Sequence, residues 1–131
     1  MSDMEHAPHA AEAKERWGDT DAYKESAKRT KDYSKADWDI IKGQSQSIEK
    51  GLADAMKSGE PADGERAMDL AEQARLHIGR WFYPCSHAMH ANLADMYTAD
   101  ARFRAHYDEQ AVGLADYVAD AIRANGARQN A

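Results

Sequence analysis

The chain has 131 residues, which allows one domain around one continuous core, because folding at this length buries roughly two thirds of the surface exposed by the unfolded chain. A formal net charge of −6 argues against a surface built to neutralise phosphates, so nucleic acid is not expected as a direct partner. Hydrophobic residues make up 43% but lean on Ala, with only two Phe, which favours closely packed helices over a sheet; the single Cys excludes an intramolecular disulfide and a Cys-rich zinc site.

Residues 1–9 are small, polar and His-containing around Pro8 and are expected to form a disordered N-terminal segment, with the domain proper covering 10–131. The first residues show neither an apolar signal core nor a basic leader, and no apolar run reaches the roughly 18 residues needed to cross a bilayer. The expectation is a cytoplasmic protein that does not engage membranes. Helical composition runs from about Ala10 to Trp17, where Gly18 supplies a stop and Asp19 or Thr20 an N-cap for a second helix over about Asp21 to Lys31. The basic residues of that helix, Lys24, Lys28, Arg29 and Lys31, are interleaved with Glu25 and Asp32 and read as a solvated face rather than a phosphate-contacting patch.

Ser34 and Asp37 approximate a capping box ahead of a stripe of Trp38, Ile41, Ile48, Leu52, Ala55 and Met56, whose spacings predict one long helix ended by Gly59, Pro61 and Gly64. The next helix is predicted from about Glu65 to Tyr83, with Met68, Leu70, Ala71, Ala74, Ile78 and Trp81 or Phe82 inward, until Pro84 removes a backbone donor. Ser86 can cap a helix to about Thr98, Asp100 opens a short one through Tyr107, and the last, about Val112 to Asn125, carries Leu114, Tyr117, Val118, Ala121 and Ile122. Helices of unequal length joined by Pro, Gly and Asp turns predict an all-α, irregular globin-like domain rather than a regular bundle.

Around the Pro84 break the chain concentrates aromatic rings, its thiol and two His. Cys85, Met89, Asn92 and Met96 recur at helical spacing and predict one stripe. Such a stripe can fill the core, with Asn92 at its edge, or line a pliable cleft in which unbranched Met side chains and the Trp81 and Tyr83 rings receive a ligand. Cys85 stands at a helix start, where amide donors favour a thiolate. No Cys-His-Asn arrangement accompanies it, so an inert buried thiol is preferred to a ligand contact or a catalytic group. His77, His87 and His90 could approach one metal, yet no Glu-x-x-His spacing supports this; they are read as hydrogen-bonding or cleft-lining side chains, with no metal and no cofactor expected. Phosphate loops, nucleophile elbows and paired-carboxylate motifs are absent, so the chain does not read as an enzyme.

The segments AKERWGDTDAYKES, PADGERAMDLAE, FYPCSHAMHANLADMYTADARFRAHYD and GLADYVADAIRAN, between about Ala13 and Asn125, together resemble the TipAS antibiotic-recognition domain, the C-terminal effector domain of thiopeptide-responsive MerR-type transcription activators. The resemblance implies a globin-like helical fold, no catalytic turnover, and capture of thiopeptides such as thiostrepton, or other peptide-like antibiotics, in an inter-helix cleft. In the family's regulators drug binding activates transcription through a separate N-terminal helix-turn-helix, and a shorter product lacking that module sequesters the drug; this chain is expected to correspond to the shorter form. The family's best-known member binds thiopeptides covalently, a thiolate adding to a dehydroalanine. Asn92 stands where the reactive Cys would align and Cys85 matches a second, less reactive one, so non-covalent capture is expected. The stretch before AKERWG is also shorter than in the family, which implies a reduced lid.

On this reading the ligand-binding residues are Trp17, Tyr23 and Trp38, ordering around the ligand, with Trp81, Tyr83, Met89, Asn92, Leu93, Met96 and Tyr97 as the floor and His77 and Cys85 beside it. A monomer is the expected state. The competing expectations are a protein-interaction module whose same face receives a partner helix or a second copy, and a haem or metal sensor.

Overall fold

The computed structural model describes residues 20–129. The expected disordered segment 1–9, the helix expected over 10–17 and Trp17 lie outside them.

Six helices make up the described chain, with no strand: α1 Asp21–Thr30, α2 Lys35–Lys57, α3 Glu65–Trp81, α4 His87–Ala99, α5 Ala101–Asp108 and α6 Leu114–Gln129. Their starts are chemically determined. Thr20, Ser34, Ser86 and Asp100 each sit in extended backbone and accept a hydrogen bond from an amide of the first turn, satisfying donors that the helix cannot. At Ser34 the capping box is complete, because the Asp37 carboxylate accepts from the Ser34 amide at 3.0 Å while the Ser34 hydroxyl accepts from Asp37 at 3.1 Å. The ends follow from backbone restriction. Gly59 turns the chain after α2 with φ 81°, and Gly113, with φ 88°, delays the last helix to Leu114, two residues after the predicted start. The Asp108 carboxylate then accepts from the Ala115 amide at 3.0 Å. Ahead of Pro84 the helix stops at Trp81 rather than Tyr83, with the Phe82 and Tyr83 amides both donating to the Ile78 carbonyl.

The core centres on α6, which packs against α2, α3, α4 and α5 and buries Leu114, Ala115, Tyr117, Val118, Ala119, Ala121, Ile122 and Asn125. Half of the sixteen buried hydrophobic residues described are alanines, among them Ala53, Ala55, Ala67, Ala71 and Ala94 on the helices that face α6. Methyl-lined faces bring the helices close together, and the larger Leu52 and Leu114 fill the remaining space.

One polar network crosses this core. Glu72 accepts from Arg75 (2.9 and 2.5 Å) and from Asn125 Nδ2 (2.9 Å), while Arg75 also donates to the Cys85 carbonyl at 2.8 Å. The bonds from Arg75 and Asn125 hold the Glu72 carboxyl at about 2, so the pair stays charged. Arg75 thereby fixes the turn between α3 and α4 against α6, which sets the angle at which α4 leaves the Pro84 break.

Candidate functional site

Residues of α1 and α4 line a shared cavity of about 760 Å³, within the range of small-molecule sites. Thr20, Ala22, Tyr23 and Ser26 form the α1 wall, Tyr83 closes the end at the Pro84 break, and Met89, Asn92, Leu93, Asp95, Met96 and Ala99 present the face of α4 as far as Asp100. The spacing of 89, 92, 93 and 96 is what places these four on one side of the helix, and the Ser86 cap, accepting from the Met89 amide at 3.1 Å, sets where that helix begins. Burial pushes the Tyr83 hydroxyl up to about 12, so it remains a protonated hydrogen-bonding group at the end of the cavity.

Six of the residues expected to bind ligand, Tyr23, Tyr83, Met89, Asn92, Leu93 and Met96, meet in this cavity. The other described ones, Trp38, His77, Trp81, Cys85 and Tyr97, do not line it. Trp38 and Trp81 join Tyr33 and Phe82 in an aromatic cluster, with Tyr33 edge-on to both indoles at 5.7 Å and Trp38 6.1 Å from Phe82. The Tyr33 hydroxyl donates to the Trp81 carbonyl, and Trp81 Nε1 donates to Gln44 at 2.9 Å, so these rings pin the α1–α2 corner to the end of α3. Cys85 falls off the predicted stripe because the backbone at Ser86 is extended, with ψ 167°, and helical periodicity cannot be extrapolated back through it. Its thiol is buried, contacts the Ser86 carbonyl at 3.7 Å, and is pushed up to about 11 by burial despite nearby Arg75. Burial therefore disfavours the thiolate, the form in which a cysteine acts as a nucleophile.

His77 and Tyr97 line a second chamber, of about 80 Å³, which α4 borders through His90 and Tyr97. His77 Nε2 donates to the Ile41 carbonyl at 3.2 Å, and burial lowers its pKa. His90 is 2% exposed in the same chamber, its Nδ1 has no protein partner, and burial brings its pKa down to about 4. Glu49 borders the chamber too; burial opposes its charge, but bonds from His106 (2.9 Å) and Gln110 (2.8 Å) prevail and lower its pKa. Among the described residues no three His, Cys, Asp or Glu side chains come together as a metal site. Neither this cluster nor the Glu72 network was anticipated from the sequence.

The profile of the TipAS antibiotic-recognition domain matches residues 9–125. The chain belongs to this family. It is 42% identical over 128 residues to the HTH-type transcriptional activator TipA of Streptomyces coelicolor, an alignment covering 98% of the chain and 51% of that protein. It thus spans about half the length of the curated relatives it matches. Among solved structures, TipAS from Streptomyces lividans in complex with the thiopeptide nosiheptide is similar with a TM-score of 0.89 and 41% identity, over 96% of this chain and 88% of that one. The antibiotic-binding domain of a TipA-class multidrug resistance transcriptional regulator is similar with a TM-score of 0.64 and 41% identity, over 70% and 97% respectively. The all-helical TipAS architecture expected from the sequence is therefore present, and the family is one of ligand-recognition domains of transcription regulators, not of enzymes. No described helix is long and apolar enough to cross a membrane.

Proposed function

We propose that this TipAS domain binds a thiopeptide or related peptide-like antibiotic, without chemical turnover, in the cavity between α1 and α4. The observation that carries the reading is the cavity's make-up: two tyrosine rings, two Met side chains and Leu93 around the single amide of Asn92. Rings supply flat contact area and thioethers adapt to irregular macrocycles, while a rigid guest limits the entropy lost on binding. Tyr23 and its helix form the movable side of the clamp, and the face of α4 the fixed floor. Capture is non-covalent, since the cavity wall offers Asn92 and the one thiol lies outside it. Sequestration of the drug and signalling as the effector half of a longer regulator both follow from this one binding step. The acting species is a monomer.

Titration with nosiheptide or thiostrepton, followed by Trp fluorescence and thermal shift, should show saturable binding, and intact-mass measurement should show no adduct. A flat titration with no shift in melting for any thiopeptide would refute the proposal. An adduct lost in Cys85→Ser would refute its non-covalent part.

A further inference from the structure

We propose that the chamber beside His90 is a second ligand site, distinct from the α1–α4 cavity, for a small uncharged molecule with an apolar body and one hydrogen-bonding group, such as an azole, a primary amide or a short alcohol. Residues of α2 through α6 meet there: Ser45, Glu49 and His77 stand half-buried at its rim, and the buried Leu52, Val118 and Ile122 form an apolar floor. His90 is buried among them, and its Nδ1 makes no hydrogen bond within the protein. The other polar side chains described around the chamber already make such bonds. Ser45 donates to Glu49 at 3.3 Å, Glu49 accepts from His106 and Gln110 as well, His77 donates to the Ile41 carbonyl, and the Tyr97 and Tyr107 hydroxyls bond to each other. The chamber therefore offers one unpaired buried polar atom beside an apolar floor. A buried water typically makes about three hydrogen bonds, whereas a guest with a single polar group pairs with this atom and covers the floor with the rest of its surface. A neutral imidazole carries one N–H and one bare nitrogen, and burial keeps His90 neutral, so a group that both donates and accepts suits either tautomer. Charged guests are disfavoured because the floor would strip their hydration. The chamber's 80 Å³ is several times what one water needs and about half of a hollow of about 150 Å³ that takes up benzene, which limits the guest to about five non-hydrogen atoms.

The test uses the full chain, with pyrazole as the probe and thiophene as a ring of the same size that lacks a strong hydrogen-bonding group. Titration of pyrazole into isotope-labelled protein should shift the NMR signals of the His90 ring nitrogens and of the Leu52, Val118 and Ile122 methyls saturably, with a Kd on the order of millimolar, while the Met89 and Met96 methyls stay in place. Thiophene should bind roughly tenfold more weakly, since it leaves the buried nitrogen unpaired. His90→Leu should remove the preference for pyrazole. Ala74→Leu, at a half-buried position on the chamber wall, should abolish binding of both rings by filling the space, and it reads the site even where His90→Leu fails to fold. Equal binding of the two rings would overturn the inference. So would shifts at Met89 and Met96 in place of the chamber residues, which would put pyrazole in the α1–α4 cavity, or the lack of any saturable shift, which would leave the chamber to water. None of these signals depends on a thiopeptide, so the second site and the proposed function stand or fall separately.

Discussion

α6 and α1 lie at opposite ends of the range of anchoring in this molecule. α6 has eight buried residues and touches four other helices; α1 has none that is fully buried, and its main neighbour is α3. Instead α1 is attached at points, by Arg29, which donates to the Gly79 carbonyl at 2.7 Å, and by the Tyr33 cluster at its end. The difference teaches that the cavity has one wall belonging to the core and one leaning on it. Opening the first would require unfolding, whereas moving the second breaks a few part-buried bonds.

The widest gap should appear on truncating the better-anchored side. Leu114→Ala empties a fully buried position in α6 and should cost about 3 kcal/mol in urea unfolding. A loss under about 1 kcal/mol would mean that α6 is not the centre of the core.

Acid should come next. The unfolded chain protonates His near 6.5, but His90 in the fold resists until about 4, with burial first and Arg75 and His87 next among the causes and Glu72 opposing. Its neutral form therefore costs nothing above 6.5, and stability falls as pH drops from there toward 4, by about 3 kcal/mol at most. Glu72 adds a second loss at lower pH, because its folded value near 2 lies below the ordinary 4.5 and the stabilisation by its charge drains away as pH falls from there through 2. Urea unfolding at pH 7 and pH 4.5 should show the first loss, and His90→Leu should flatten it, whereas an unaltered slope in that variant would assign the acid response elsewhere.

The smallest effect should fall on α1. Arg29→Ala should change global stability by less than about 1 kcal/mol, speed amide exchange across Asp21–Thr30 several-fold, and weaken thiopeptide binding roughly three- to tenfold. Exchange in α6 should not change. If α1 amides are as protected without drug as with it, and indifferent to Arg29, the contrast between the two walls is wrong.

The helices were legible because their caps are local chemistry: Ser34 with Asp37, Ser86 and Asp100 each announce a start within a few residues of sequence. The stripe of α4 was legible for the same reason once the helix had begun, and it delivered Met89, Asn92, Leu93 and Met96 to one wall. That Trp38, Trp81 and His77 stand away from the α1–α4 cavity was not legible, because an aromatic or imidazole ring near a break looks alike whether it faces a cleft or seals a corner. Only the crossing of α2 and α3 decides, through Gln44 and the Ile41 carbonyl. The Glu72–Arg75–Asn125 bonds and the Glu49–His106–Gln110 cluster join residues more than fifty positions apart, and no periodicity marks such pairs. Ala67, Ala115 and Ala119 escaped the predicted core because a methyl group carries little pattern of its own.

The alanine-rich centre has a consequence for how this protein can vary over generations. Where backbones are separated by methyl groups, almost any replacement is an enlargement, and added bulk in a filled interior typically costs 1–3 kcal/mol. The side chains that line the cavity between α1 and α4 border open space, so exchanging one of them changes the shape and chemistry of that cavity at little expense to folding. Such a chain can keep one scaffold while its chemical repertoire diversifies, with new specificities arising along the exposed face of α4 and the facing turn of α1.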